Sequence, residues 1–239
     1  MKLYFLGTSH GVPEKDRFCS STLIEVGEKY YMIDCGCPVI NQFKVNSLDI
    51  NRLAGVFITH MHGDHTDGML QLCDLLKWYY RESDPKFYLA EEEGIAAYNA
   101  ILDYIVGGRA LNFDFVKEGL FFEDENVRIT AIPTKHCPPR PSFSFLVEAE
   151  GKRVLFTGDL RADLSDMPEV AKNEKTDAVI CEAAHNRLDK VADILYALPT
   201  NMLIINHISP KNPESVSTPF ARSAPMKCII SSDNDVVEV

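Results

Sequence analysis

The fold class this sequence predicts is α/β, with strands packed in layers against helices. Three observations predict it. Short apolar runs rich in β-branched and aromatic residues recur along the whole chain. Between them lie segments with apolar residues at helical spacing, in both halves of the chain. No repeat of fixed period, low-complexity stretch or long linker divides the 239 residues, so residues 1–239 are expected to form one domain.

In chain order, "KLYFL" (2–6), "STLIEV" (21–26) and "YYMID" (30–34) are expected strands. A loop rich in Gly, Pro and charge separates the first two, and a "VGEK" turn the next. "AGVFIT" (54–59) is an apolar run bounded by turn residues, which suggests a buried strand. "GMLQLCDLLKWYYRE" (68–82) places Met69, Leu72, Leu75, Leu76 and Tyr79 at helical spacing. "KFYLA" (86–90) is a short strand. "EEEGIAAYNAILDYIV" (91–106) opens with acidic residues, which favour a helix N-terminus, and continues with helical periodicity. From about residue 111 the pattern is mostly β: "VRITAIP" (127–133), "FSFLVEAE" (143–150), "RVLFTGD" (153–159) and "DAVICEA" (177–183). A helix follows over "NRLDKVADILYAL" (186–198), then a strand over "NMLIINH" (201–207). The tail, 225–239, reads as a closing pair of strands.

The chain has 24 Lys and Arg against 35 Asp and Glu, a net charge of -11. Such a balance disfavours general binding to nucleic acid or an anionic membrane surface, because phosphate contact needs cationic surface. No apolar run is long enough to cross a bilayer, and the N-terminus turns polar after five residues. A cytoplasmic protein is expected. The seven cysteines are odd in number and show no CxxC pair, so reduced, mostly buried thiols are expected rather than a disulfide framework or zinc knuckle.

One stretch stands apart. "ITHMHGDHTDG" (58–68) crowds three of the seven histidines and two aspartates into eight positions, directly after a buried strand. His60, His62, Asp64 and His65 are ligand types that zinc and similar divalent metals prefer. His60 and His62 are two apart, so in extended chain they point the same way. One loop of this kind can serve two adjacent metal positions. Further candidates end other strands: His136 after "VRITAIPTK", Asp159 after "RVLFTG" and His207 after "NMLIIN". The carboxyl ends of strands are where α/β proteins place their sites.

The ordered set "THMHGDH", His136, "TGD" at 157–159 and His207 resembles the metallo-β-lactamase superfamily pattern HxHxDH…H…D…H. "LGTSHGVP" and "MIDCG" resemble the opening strands of that family, so the resemblance covers nearly the whole chain. It implies a four-layer αββα sandwich with the site at the edge of two sheets. It also implies two divalent metal ions: His60, His62 and His136 around one, Asp64, His65 and His207 around the other, and Asp159 bridging. Zinc is the default, and manganese or iron use similar ligands. A hydroxide between two such ions is a strong nucleophile at neutral pH.

The start "LGTSHGVPEKDRFCSS" and "INHISP" around His207 resemble the ribonuclease Z and small-phosphodiesterase branch. Glu182 and His185, in "CEAAH", match positions where that branch carries a Glu and a proton-donating His. The resemblance therefore implies catalytic roles for His185, Glu182 and Asp64. Ribonuclease Z enzymes carry a long arm that grips tRNA between the third His motif and the bridging Asp. Here those residues, His136 and Asp159, are 23 apart, and two expected strands fill the gap. The missing arm and the acidic balance argue against tRNA and for a small or flexible phosphodiester substrate. Alternatives are a ribonuclease Z-type tRNA 3′-processing activity, a lactonase or thioesterase, and a non-catalytic metal-binding protein on the same fold. A flavodiiron-type oxidoreductase is not expected, since the 239 residues are taken up by the one expected domain and no flavin domain is in view. A homodimer would be in keeping with the resemblance. Arg140, four residues after His136, is a candidate phosphate contact. His10, Arg17 and Cys137 lie near the motifs without an assigned role.

Overall fold

A computed structural model describes residues 1–239. The elements run β1 (Lys2–Gly7), β2 (Ser21–Val26), β3 (Lys29–Ile33), α1 (Val39–Val45), β4 (Leu53–Phe57), α2 (Gly63–Thr66), α3 (Met69–Trp78), β5 (Lys86–Leu89), α4 (Glu92–Ile105) and β6 (Asn112–Phe115). They continue β7 (Gly119–Glu123), β8 (Arg128–Pro133), β9 (Phe143–Ala149), β10 (Lys152–Phe156), α5 (Glu169–Asn173), β11 (Ala178–Ala183), α6 (Leu188–Tyr196), β12 (Met202–Ile208), α7 (Glu214–Ser223), β13 (Lys227–Ile230) and β14 (Val236–Glu238).

Two seven-stranded sheets result, ordered β14-β1-β2-β3-β4-β5-β6 and β13-β12-β11-β10-β9-β8-β7. In the first, β3 through β6 pair in parallel, and β14 through β3 antiparallel. In the second, β7 through β10 pair antiparallel, and β10 through β13 in parallel. Side-chain alternation sorts the strand residues into layers. Leu3, Phe5, Ile24, Tyr31, Ile33 and Phe57 of the first sheet meet Ile129, Phe145, Val147, Val154, Phe156 and Ile180 of the second in one core between the sheets. The intervening residues Leu23, Tyr30, Met32 and Val56 pack outward against Phe43 of α1, Leu72 and Leu76 of α3 and Leu102 of α4. On the other side, Leu155, Val179, Leu203 and Ile205 pack against Val191 and Leu195 of α6 and Phe220 of α7. Helix, sheet, sheet, helix is the αββα sandwich the motifs implied. Strands buried on both faces explain why their sequences read as continuous apolar runs.

Three features depart from the sequence reading. The two tail strands do not pair with each other: β13 joins β12 and β14 joins β1, at the edges of different sheets. Two strands close in sequence look alike whether they pair or part, because pairing partners lie elsewhere in the chain. Helix α7 occupies "ESVSTPFARS", with Pro219 inside it, a stretch the sequence reading left unassigned; buried Phe220 packing beside α6 holds it. α3 ends at Trp78, earlier than the periodicity suggested.

Candidate metal centre

Each functional side chain sits just beyond, or on the last residues of, a strand. His60 follows β4 and is fully buried. His62 is the N-cap of α2, whose single turn carries Asp64 and His65. His136 lies on the loop after β8, and Asp159 three residues past β10. Glu182 is on β11, and His185 is in the turn that follows it. His207 is on β12 with φ 51°, a left-handed backbone conformation uncommon for a residue other than glycine. Gly158 is required just before Asp159. Its φ is +56°, and a Cβ there would lie 2.5 Å from the Phe143 carbonyl oxygen.

The seven expected ligands converge. His60, His62 and His136 bring their nitrogens within 4.8 Å of one another, as do Asp64, His65 and His207 with their ligand atoms. Asp159 stands between the two sets. Its Oδ2 lies 3.7 Å from His60 Nε2 and 3.6 Å from His136 Nε2. Its Oδ1 lies 3.6 Å from His65 Nε2 and 3.5 Å from His207 Nε2. Asp64 Oδ2 is 3.3 Å from His65 Nε2 and 3.6 Å from His207 Nε2.

The donor set fits divalent cations on an internal observation. Asp159 Oδ1 and His65 Nε2 are buried with no hydrogen-bond partner. A buried carboxylate oxygen and a buried imidazole nitrogen left bare are costly unless something positive sits between them. Likewise His60 Nε2 and His62 Nδ1 face each other at 2.9 Å, as lone pairs sharing one cation would. Burial and the neighbouring His65 charge push the His60 pKa down to about 2, so it is a neutral donor at pH 7. Burial works to raise the Asp159 pKa, but His207 and His65 outweigh it and hold the carboxyl well below its usual range.

The rings are fixed from behind. Asp34 Oδ2 accepts from His65 Nδ1 at 2.7 Å, the Ser9 carbonyl accepts from His207 Nδ1 at 2.7 Å, and Thr59 Oγ1 is 3.2 Å from His60 Nδ1. Each contact leaves Nε2 turned to the centre, the arrangement that orients metal-binding histidines. Asp34 and Asp159 raise the His65 pKa against the opposing effect of burial; a cation at Nε2 would compete with that proton.

Glu182 organises the far wall. Its carboxylate accepts from the backbone N–H groups of Leu160, Ala184 and His185, at 3.3, 2.7 and 3.1 Å. Its Oε1 also accepts from His185 Nδ1 at 3.2 Å. That bond is the main cause of the raised His185 pKa, with burial opposing and Asp159 assisting.

The model of the family described as "Anti-Pycsar protein Apyc1" matches residues 1–214. The chain belongs to the Apyc1 family. Its relatives place this Apyc1-family chain in the ribonuclease Z-like branch of the metallo-β-lactamase superfamily. It is 30% identical over 196 residues to a ribonuclease Z of Listeria monocytogenes serotype 4b, a match spanning 79% of this chain and 63% of that protein. The chain thus spans less than two thirds of that relative's length. The same fold appears in the metallo-β-lactamase fold protein YhfI from Bacillus subtilis, with a TM-score of 0.81, 18% identity and 99% of both chains covered. It appears also in a diphosphatase from the PhnP family, with a TM-score of 0.74, 18% identity, and 100% of this chain and 97% of that one covered.

In this Apyc1-family chain the remaining candidates lie at the rim or outside it. Arg140 is not among the converging groups: its guanidinium donates to the Glu91 carboxylate, at the start of α4. His10 pairs with Glu14 at 3.1 Å, and Arg17 donates to Thr8 Oγ1 and the Ser231 carbonyl, tying the first loop to the tail. The Cys137 thiol faces the carbonyls of Arg140 and Pro141, within its own loop. All seven cysteines are free. Sequence reasoning missed Asp34 and Ser9. Asp34 stood in view in "MIDCG": an aspartate ending an apolar strand is the position type that flagged Asp159. Ser9 acts through a backbone carbonyl, which no side-chain pattern can show.

Proposed function

We propose that the chain is a metal-dependent phosphodiesterase that holds two divalent ions, zinc by default, and acts on small or flexible phosphodiesters. The observation that carries the reading is Asp159. Its two oxygens face two separate sets of nitrogen and carboxylate donors, while His185 stands across from it in the grip of Glu182. His60, His62 and His136 would hold one ion and Asp64, His65 and His207 the other, with Asp159 shared. Bound there, the ions would supply Lewis acidity and a water acidified enough to attack at neutral pH.

The chain's own residues do the rest. Asp34, Ser9 and Thr59 orient the imidazoles. An alkoxide leaves poorly unless protonated, and His185 is placed to donate that proton. Glu182, through its hydrogen bond, raises the His185 pKa and so favours the proton-bearing form. The ribonuclease Z relatives and the diphosphatase neighbour support phosphoester chemistry over acyl transfer.

A ribonuclease Z-type activity is the second reading, favoured by the 30% identity. Against it, β9 and β10 fill the interval from His136 to Asp159, where a tRNA-gripping arm would emerge. The test is a panel on metal-loaded protein: a chromogenic phosphodiester, a phosphomonoester, a lactone and a precursor tRNA. Turnover of the phosphodiester is expected. Turnover of the lactone alone, or accurate tRNA 3′ cleavage, would overturn the assignment.

A further inference from the structure

Two of the converging imidazoles have nothing behind the ring. Asp34, the Ser9 carbonyl and Thr59 back His65, His207 and His60, but His62 and His136 only face each other, with His136 Nε2 at 3.3 Å from His62 Nδ1. Their places depend on how the backbone is held. The His62 carbonyl accepts from His65 N–H at 3.1 Å and from Thr66 Oγ1 at 3.0 Å, so the first turn of α2 fixes it. For His136 the hold comes from a distant residue. Lys135 N–H, next to His136, donates to Asp166 Oδ2 at 2.7 Å. The other oxygen, Asp166 Oδ1, accepts from Arg161 N–H at 2.9 Å, two residues past Asp159. One half-buried carboxylate thus joins the loops that carry two of the expected ligands.

The segment that carries Asp166 is built to keep it there. Leu164 N–H donates to the Arg161 carbonyl at 2.8 Å and Met167 N–H to the Leu164 carbonyl at 3.0 Å, which makes two successive turns. Leu164 takes φ 54°, uncommon for a residue with a side chain. Leu164 and Met167, each 2% exposed, pack into the core of the second sheet and its helices and anchor the chain on either side of Asp166. Hydrogen bonds to a carboxylate are among the strong ones, so this clasp is firm. Asp159 has supports of its own. Glu182 Oε1 accepts from Leu160 N–H at 3.3 Å, and the Asp159 carbonyl accepts from Thr134 Oγ1 at 3.2 Å. Opening the clasp would therefore free His136 before Asp159.

We propose that Asp166 is a positioning residue for one of the two ions: it locks the His136 loop to the Asp159 loop and so completes the set formed by His60, His62 and His136. The set formed by Asp64, His65 and His207 does not depend on it, because Asp34 and the Ser9 carbonyl hold that side. The inference rests on the two-ion reading of the centre.

The test titrates zinc into the metal-free full chain against a chromophoric chelator, which reads affinity directly instead of through turnover. The wild type is expected to take up two ions. Asp166→Ala should hold one as the wild type does and the other about 10–100-fold more weakly, the scale of a lost outer contact to a metal ligand. Asp166→Asn, which keeps one acceptor, should fall between. Two backgrounds show which ion is affected. With Asp64→Ala, which leaves the His136 set whole, adding Asp166→Ala should weaken the remaining ion. With His62→Ala, which leaves the other set whole, it should not. Asp177→Ala removes a different carboxylate bonded to a backbone N–H, that of Arg153 at 3.0 Å, at the opposite end of β10, and should leave both affinities as they were. Unchanged affinities in Asp166→Ala, equal loss of both ions, or the same loss in Asp177→Ala overturns the proposal. Asp166→Asn reads the same outcomes should the alanine variant fail to fold. A wild type that takes up fewer than two ions would instead sink the two-ion reading and this inference with it.

Discussion

His185 and Asp159 face each other at 3.7 Å and are expected to fail in different ways when replaced. His185→Ala should keep its metal content, because the seven converging ligands remain. Its rate should fall by roughly 10²–10⁴-fold on an alkyl leaving group, the scale of a lost general acid. An activated aryl leaving group, which needs no proton, should show a much smaller loss. Equal losses on both substrates, or loss of an ion, would show that His185 ligates rather than donates. Asp159→Ala should weaken retention of both ions, since each oxygen faces one set, and metal analysis after dialysis reads this directly. Asp34→Asn acts one step back: loss of its charge behind His65 should cost about 10–100-fold in metal affinity. The pH profile follows from Glu182, whose hydrogen bond raises the His185 pKa above its ordinary value. The acid form is present below that raised value and lost as pH rises through it, so kcat/KM should carry an alkaline limb there. Glu182→Gln removes the charge and should move the limb to lower pH; an unmoved limb would detach it from His185.

At the scale of elements, the site is a set of strand ends, and the turns that follow them decide where ligands point. The turn after β10 is the most constrained. Gly158 holds φ +56° against the Phe143 carbonyl and the Thr59 side chain. Gly158→Ala should therefore destabilise the fold by about 1–3 kcal/mol and displace Asp159 as well. Denaturant unfolding and metal titration check the two effects separately. A variant that is fully stable and fully metal-loaded would contradict the geometry. Sequence periodicity found most of these strands because burial on both faces makes them continuously apolar. It missed α7, whose Ser- and Pro-bearing sequence is helical only because buried Phe220 packs beside α6.

For the whole molecule, two sheets and two helix layers meet at one edge, and the centre joins residues from both halves of the chain. Ions bound there would tie the two sheets together. Ligands that bind only the folded state stabilise it by mass action, about 2.7 kcal/mol at one hundred times the dissociation constant. Chelation should accordingly lower Tm by roughly 5–10 °C for a chain of this size. An unchanged Tm, with metal removal verified, would mean that the centre contributes nothing to holding the sheets together. The net charge of -11 acts at this scale too. Long nucleic acid should be bound weakly, with little of the steep salt dependence that many phosphate contacts produce.

By itself the sequence determined the layered α/β architecture and picked out the seven residues that converge at the centre. Both are written locally, in apolar runs and in motifs that follow strand ends. Tertiary structure alone decided the supports and the partners. Asp34 stands behind His65 because β3 pairs beside β4, and a Ser9 carbonyl reaches His207 across 198 positions of chain. Arg140, near a ligand in sequence, turns to Glu91 on α4, and the tail strands part to opposite sheets. Ligand types are a property of single residues and can be read one at a time. A hydrogen-bond partner and a strand's neighbour depend on pairings between distant segments, which form only when the sheets close on one another.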